Sequence, residues 1–232
     1  FVAGESLNGF SDLNASAGDI LLRWHVRERK PPSNIVLVDI DQASLDDPQM
    51  LELAGNWPWP RAIHGELTEF IATQKPAAIV FDIIFSEPDI FRAESDAVLS
   101  RAITEHGAIL PLIVAADGTP TPLRNLPAIM QIKPGPDADP NAGLPLIAPK
   151  AISPAGWRTG LINFLADEDR VGRRYWVSYP HQGWQLPSLA SRTAEAVGLA
   201  LPDQDSIILN WYGKDFTHIS YGQLYLESQK SK

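Results

Sequence analysis

The sequence predicts an α/β domain: a mainly parallel central sheet flanked by helices in three layers, with an antiparallel hairpin added and a long irregular insertion. Three observations lead there. Two short apolar, β-branched runs, "IVLVDID" at 35–41 and "AAIVFDIIF" at 77–85, end in acidic or polar residues, as buried strands do. Between them Ile63, Leu67, Phe70 and Ile71 recur at helical spacing from Arg61 to Thr73, with Pro60 suited to the first turn. A second helical pattern, about Glu94 to Glu105 on Ala97, Val98, Leu99, Ala102 and Ile103, stops at Gly107 and leads into a third strand, "AILPLIV". Strand, helix, strand, helix, strand is the order of a parallel sheet covered by helices.

The remaining elements follow in chain order. A lead-in helix is expected at about 15–28, clearest from Ala17 to Arg27, with Ile20, Leu21, Trp24 and His25 along one packing side. Residues 115–156, with "DGTPTPLRNLP" and "KPGPDADPNAGLP", read as a long irregular surface segment with a strand near Ala128 to Ile132. "TGLINFLAD" and "RRYWVSYP" flank the acidic turn "DEDRVG" and suggest an antiparallel hairpin. "LPSLASRTAEAVG" has helical spacing, with Ser188 as cap and Gly198 as stop. "SIILNWYG" at 206–213 reads as a further strand, and Ser220 starts a last helix.

Composition bounds the function. A chain of 232 residues, 44% hydrophobic and 20% charged, can bury a core as one domain, residues 1–232. Its formal charge of -9 argues against nucleic acid or an anionic membrane surface as the main partner. The absence of cysteine removes disulfides, thiolate metal sites and cysteine nucleophiles. No run is long and apolar enough to span a membrane, and the start lacks a signal-peptide pattern. Both ends look cut, which suggests an excised domain.

Motifs remove several chemistries. GxGxxG after the first strand, GxxxxGK[ST], HExxH and GxSxG are all missing, so dinucleotide binding, a P-loop, zincin and α/β-hydrolase activity have no support, and no cofactor or metal is expected. "DADPNAG" imitates a calcium loop at Asp137, Asp139 and Asn141, but Ala142 replaces its glycine and Ala148 its distal glutamate, so it reads as a turn. The sequon "NAS" at 14–16 matters only in a glycosylating host.

What remains is "GNWPWPRAIHGEL" at 55–67 and a set of charges at strand ends. Trp57 and Trp59 are an expensive way to build a connection unless they are packed. Asp39 and Asp41 close the first strand, Asp82 lies in the second, Glu87 and Asp89 follow it, and Arg61 and His64 sit in the intervening turn and helix. Ligands of open parallel sheets bind at the carboxyl ends of the strands, so these acids and Arg61 are expected to approach one another. Asp39 and Asp41 share a face, and whether Asp82 joins them depends on register. The set serves equally as a structural network that pairs with Arg61 and caps helices.

Together, "IVLVDID" with "SL", "WPWPR" with His64, "FDIIFSEPD", "GLINFLADEDRVGRR" and "LPSLA" resemble in content and order the second type of CHASE domain, a family of extracellular sensory domains associated with cyclases and histidine kinases. The resemblance runs from about residue 12 to 225. It implies a periplasmic input module of a bacterial membrane receptor, not itself catalytic, with a cytoplasmic cyclase, diguanylate cyclase or phosphodiesterase, or kinase as output. It implies no particular ligand, so the stimulus, a small molecule or a protein, is unidentified. The cut ends and the usual symmetry of signalling oligomers lead to the expectation of a membrane-embedded, homodimeric full-length protein whose isolated domain is weakly dimeric or monomeric. Asp39, Asp41, Trp57, Trp59, Arg61, His64, Asp82, Glu87 and Asp89 are the candidate ligand-binding residues. Two rival readings stand beside it: a Mg²⁺-dependent phosphoester hydrolase built on the strand-end carboxylates, and a solute receptor without signalling output.

Overall fold

The computed structural model describes residues 18–22, 24–164, 166–167, 169–209 and 211–230. The sequon and the first residues of the expected lead-in helix lie outside them. That helix, α1, is seen at 18–22 and 24–26, and its Ile20, Leu21 and Trp24 are exposed instead of packed.

Strand β1 (Val36–Asp39) leads into two short helices, α2 (Gln42–Asp46) and α3 (Pro48–Ala54). Both start because an aspartate caps them. Asp41 accepts from Ser44 N at 2.8 Å, and Asp47 accepts from Gln49 N and Met50 N at 2.8 and 3.1 Å. Helix α4 spans Arg61–Thr73 and α5 spans Ala93–His106, ending on Gly107 in the left-handed region, where glycine carries no Cβ penalty. These two helices pack closely because Gly65 of α4 faces α5: a Cβ there would stand 3.0 Å from the backbone of Leu99.

After α5 come β2 (Leu110–Val114), β3 (Thr121–Pro122), β4 (Lys133–Pro134), β5 (Gly143–Leu144), β6 (Leu146–Ile147), β7 (Thr159–Leu161), β8 (Arg174–Trp176), β9 (Ser178–His181) and β10 (Trp184–Pro187). Helix α6 (Leu189–Ala196), β11 (Ser206–Ile208), β12 (Thr217–Ser220) and α7 (Tyr221–Lys230) complete the order. Ser188 caps α6 and Gly198 follows it at φ +77°, as its sequence implies.

The fold is mixed α/β, but the described strands form five small sheets and not one mainly parallel central sheet. β1 pairs parallel with β12, and β2 lies between parallel β7 and antiparallel β6. β10 lies between antiparallel β4 and β9, β8 pairs with β11, and β3 pairs with β5. Segment 77–85 contributes a single parallel bridge, Val80 to Ile109, held by Phe81 N to Ile109 O and Ile109 N to Ile79 O, each 2.9 Å. The expected hairpin across "DEDRVG" is also corrected, since β7 joins β2 and β8 joins β11. The hairpin of this region is β9–β10, which turns on Gln182 and Gly183, both at positive φ.

The insertion at 115–156 is not a loose surface segment. Leu123, Met130, Ala142, Leu144 and Ala148 enter a core cluster with Leu112, Leu161, Trp184 and Leu186. The strand expected near Ala128 to Ile132 is a 3-10 turn, Ala128–Met130, that places Met130 in this core. The calcium-like loop is a turn in which Asp139 accepts from Asn141 N at 2.8 Å. A second cluster holds Met50, Trp59, Ile63, Leu67, Tyr221 and Tyr225, and a third lies under α5.

Candidate functional site

The second cluster contains the tryptophan turn. Helix α3 ends at Gly55, at φ +76°, whose N–H donates to Leu51 O at 3.1 Å. The chain then passes a cis Trp57–Pro58 peptide and enters α4 at Arg61. No side chain caps α4 from its own start. Ala62 N donates instead to Ser95 Oγ on α5 at 2.7 Å, so one orphan donor of α4 is satisfied by its neighbour.

Around this turn the rings touch in sequence. Trp57, 45% exposed, stands edge-on to Trp59 at 5.3 Å and to His64 at 6.1 Å. Trp59, 4% exposed, lies tilted on Tyr221 at 5.3 Å. His64 is 3% exposed, its ring is 5.6 Å from Phe85, and its Nδ1 is 2.7 Å from the hydroxyl of Tyr221. The cluster therefore ties the turn and α4 to the 77–85 segment and to the first residue of α7. Burial, with the Arg61 charge beside it, pushes the His64 imidazole down to about pH 4, so it is neutral near pH 7. Burial likewise pushes the Tyr221 hydroxyl well up, helped by Tyr225 and Glu66.

The charges sort differently from the expected constellation. Arg61 Nη1 donates to Asp96 Oδ1 at 2.7 Å, and Asp89 N donates to Asp96 Oδ2 at 2.7 Å. Asp89 in turn accepts from Phe91 N and Arg92 N at 3.1 Å each and from Arg92 Nε at 2.9 Å. Asp39 is bonded to Nδ1 of His218 on β12. Asp41 accepts from Ser44 N and Ser44 Oγ and from Ser220 Oγ at 3.0 Å, and the Ser44 hydroxyl leads the bonds that hold its carboxyl below the usual range. Asp82 and Glu87 are exposed and make no hydrogen bond or ion pair among the described residues.

Of the nine candidates, then, the structure brings together Trp57, Trp59, Arg61 and His64, and joins Arg61 to Asp89 through Asp96. It does not bring Asp39, Asp41 or Asp82 to Arg61, because β1 takes its neighbour from the end of the chain and not from the 77–85 segment. Among the described residues the group of three His, Asp or Glu side chains whose ligand atoms lie within 4.8 Å of one another is Glu69, Glu105 and His106, none of them strand-end acids. Among the described residues, then, the strand-end carboxylates are not gathered into one cluster.

Sequence reasoning missed Asp96, Ser95 and Tyr221. Asp96 stands in the first turn of α5, where an acid is favoured by the helix dipole in any case, so its sequence position carried no sign of its partner. It also missed Arg173, which donates from Nε and Nη2 to both carboxylate oxygens of Asp19 on α1 at 2.8 Å and binds Asp167 and Asp169. Arg173 thus joins Asp167 and Asp169 to the lead-in helix, and its hydrogen bond, with that of Val171 N, holds the Asp169 carboxyl at about 2.

A family model for the CHASE2 domain matches residues 1–230, essentially the whole chain. The chain belongs to the CHASE2 domain family. CHASE2 is a family of sensory extracellular domains, not a catalytic one. Comparison with curated proteins and with solved structures gives no match. Among the described residues no helix of this CHASE2 domain is long and apolar enough to cross a membrane.

Proposed function

We propose that this CHASE2 domain is the periplasmic input of a bacterial transmembrane receptor, which passes an external stimulus to a cytoplasmic cyclase, diguanylate cyclase or phosphodiesterase, or kinase. Family membership supports the class of function. The observation that carries the coupling is the buried His64–Tyr221 contact, which connects the tryptophan turn to the start of α7. Trp57 has surface available for a ligand and rests on His64, one ring away from that contact. Asp82 and Glu87 have charge available, whereas Trp59, Arg61, His64 and Asp89 are held by neighbours and transmit.

A ligand shifts a protein between states only through its differential affinity for them. A turn that alters the Trp57–His64–Tyr221 stack on binding would supply that difference and deliver it to α7. The coding sequence on either side of this segment tests the reading. A membrane span and a cyclase, diguanylate cyclase, phosphodiesterase or kinase domain in the same frame are expected. An open reading frame with no output domain would contradict the reading and favour a solute receptor.

A further inference from the structure

Helix α1 carries its apolar side outward. Ile20, Leu21 and Trp24 fall on one stripe of the helix and are 68%, 67% and 73% exposed. Asp19, Leu22 and Val26, three and four residues apart on the opposite side, are half-buried. That inner side is fixed to the rest of the domain. Arg173 holds both carboxylate oxygens of Asp19 at 2.8 Å, and just past the helix Gly213 N donates to Arg29 O at 3.1 Å. Gly213 lies so close that a Cβ on it would stand 2.1 Å from Val26 O. Trp211, two residues before that contact, is 52% exposed. The stripe is therefore held facing out, although a helix this short draws its stability from packing an apolar face and not from propensity.

We propose that a second copy of this chain covers the stripe, so that the α1 helices of two domains pack against each other about a two-fold axis. Arg27 and Glu28, exposed beside the stripe, are of opposite sign, as a self-complementary contact requires. The same pair argues against a lipid surface. Helices that lie on a bilayer carry an excess of Lys and Arg on the polar face, whereas α1 and its end carry Asp19 and Glu28 in a chain of net charge -9.

The area available sets the strength of the contact. Ile20, Leu21, Trp24 and Trp211 expose about 400 Å² between them, at about 200 Å² for a whole tryptophan side chain and about 100 Å² for a leucine-sized one. Two copies bury about 800 Å², short of the ~1,200 Å² of a stable interface, so the free domain pairs weakly. Two domains tethered side by side meet at an effective concentration near millimolar, enough to close a weak contact. Only that tethering rests on the receptor reading; the contact itself belongs to the isolated chain.

Sedimentation equilibrium of the 232-residue chain, loaded from about 10 μM to about 1 mM, tests the contact apart from any output domain. A monomer–dimer equilibrium with a Kd of about 0.1–1 mM is expected, weakened about tenfold or more in Leu21→Glu and in Trp24→Glu. Both positions are exposed, so the variants should melt with the wild type. Ile90→Glu, which changes an 81% exposed side chain on the loop before α5, should leave the equilibrium unchanged and excludes general stickiness. A chain that stays monomeric at the highest load, or a dimer that survives both α1 variants or is lost equally in Ile90→Glu, would overturn the interface. So would a monomer that binds vesicles of phosphatidylethanolamine and phosphatidylglycerol through Trp24, which would give the stripe to the membrane.

Discussion

Arg61→Ala is expected to lower the stability of the domain by about 3 kcal/mol, or roughly 6–12 °C in melting temperature for a chain of this size. The cost comes from what the arginine leaves behind. Asp96 is 11% exposed at its side chain and accepts both from Arg61 Nη1 and from Asp89 N, so deletion strands half of its bonding in a site that water reaches poorly. Asp96→Ala removes the acceptor of both bonds and should cost a similar amount. The double variant should cost less than the sum, because a lone charge is no longer buried. Asp82→Asn, by contrast, removes charge from an exposed side chain with no hydrogen bond or ion pair among the described residues and should leave the melt within about 1 °C. Chemical and thermal unfolding of the four variants checks this, and additive losses for Arg61 and Asp96 would show that the pair is not coupled.

The second large effect is a pH dependence. The folded domain holds His64 at about 4, against 6.5 for an ordinary histidine, so between those values the unfolded chain binds the proton and the folded chain does not. The stability contributed by neutral His64 is therefore complete above pH 6.5 and is lost as pH falls toward 4. The loss amounts to about 3 kcal/mol across that window. His64→Phe keeps a ring in the cluster but removes the titration. The variant is expected to be less stable at pH 7, where the Tyr221 hydroxyl loses its partner, yet to show a flatter stability profile between pH 6.5 and 4. Parallel profiles for the two proteins would mean that His64 does not carry the effect.

How much of this was legible in the sequence depends on range. Helix α4 runs from Arg61 to Thr73 as its apolar spacing indicates, and α6 sits between the Ser188 cap and Gly198, because local periodicity and capping decide both. The sheet was not legible. Its expected parallel order rested on consecutive strands pairing, whereas β1 pairs with β12 some 180 residues away, and "THIS" has neither the length nor the apolar run of a buried strand. The Pro- and Gly-rich insertion has no period, yet it buries Leu123 and Met130 through 3-10 turns and Leu144 through the two-residue strand β5.

The site divides in the same way. The packing of the tryptophan turn was readable from its cost, since Trp59 had to be buried somewhere. Its partners were not, because Asp96 and Tyr221 approach Arg61 and His64 from 35 and 157 residues away, and nothing local to either marks the contact. The strand-end position of Asp39 and Asp41 admits both a ligand group and a structural one, and the sequence does not choose between them. The structure shows Asp39 bonded to His218 of β12, and Asp41 bonded to Ser220 and capping α2.

In the proposed receptor the tryptophan turn drives α7, and the output of the full-length protein carrying Trp57→Ala tests that coupling. Trp57 is partly exposed, so its removal should leave the domain folded, with a melting temperature within a few degrees of wild type. Cyclase or kinase output, basal or stimulated, is expected to change severalfold in that stable variant, and in the same direction in Tyr221→Phe, which breaks the next link. A receptor whose Trp57→Ala domain is fully folded and whose output matches wild type under every stimulus would contradict it.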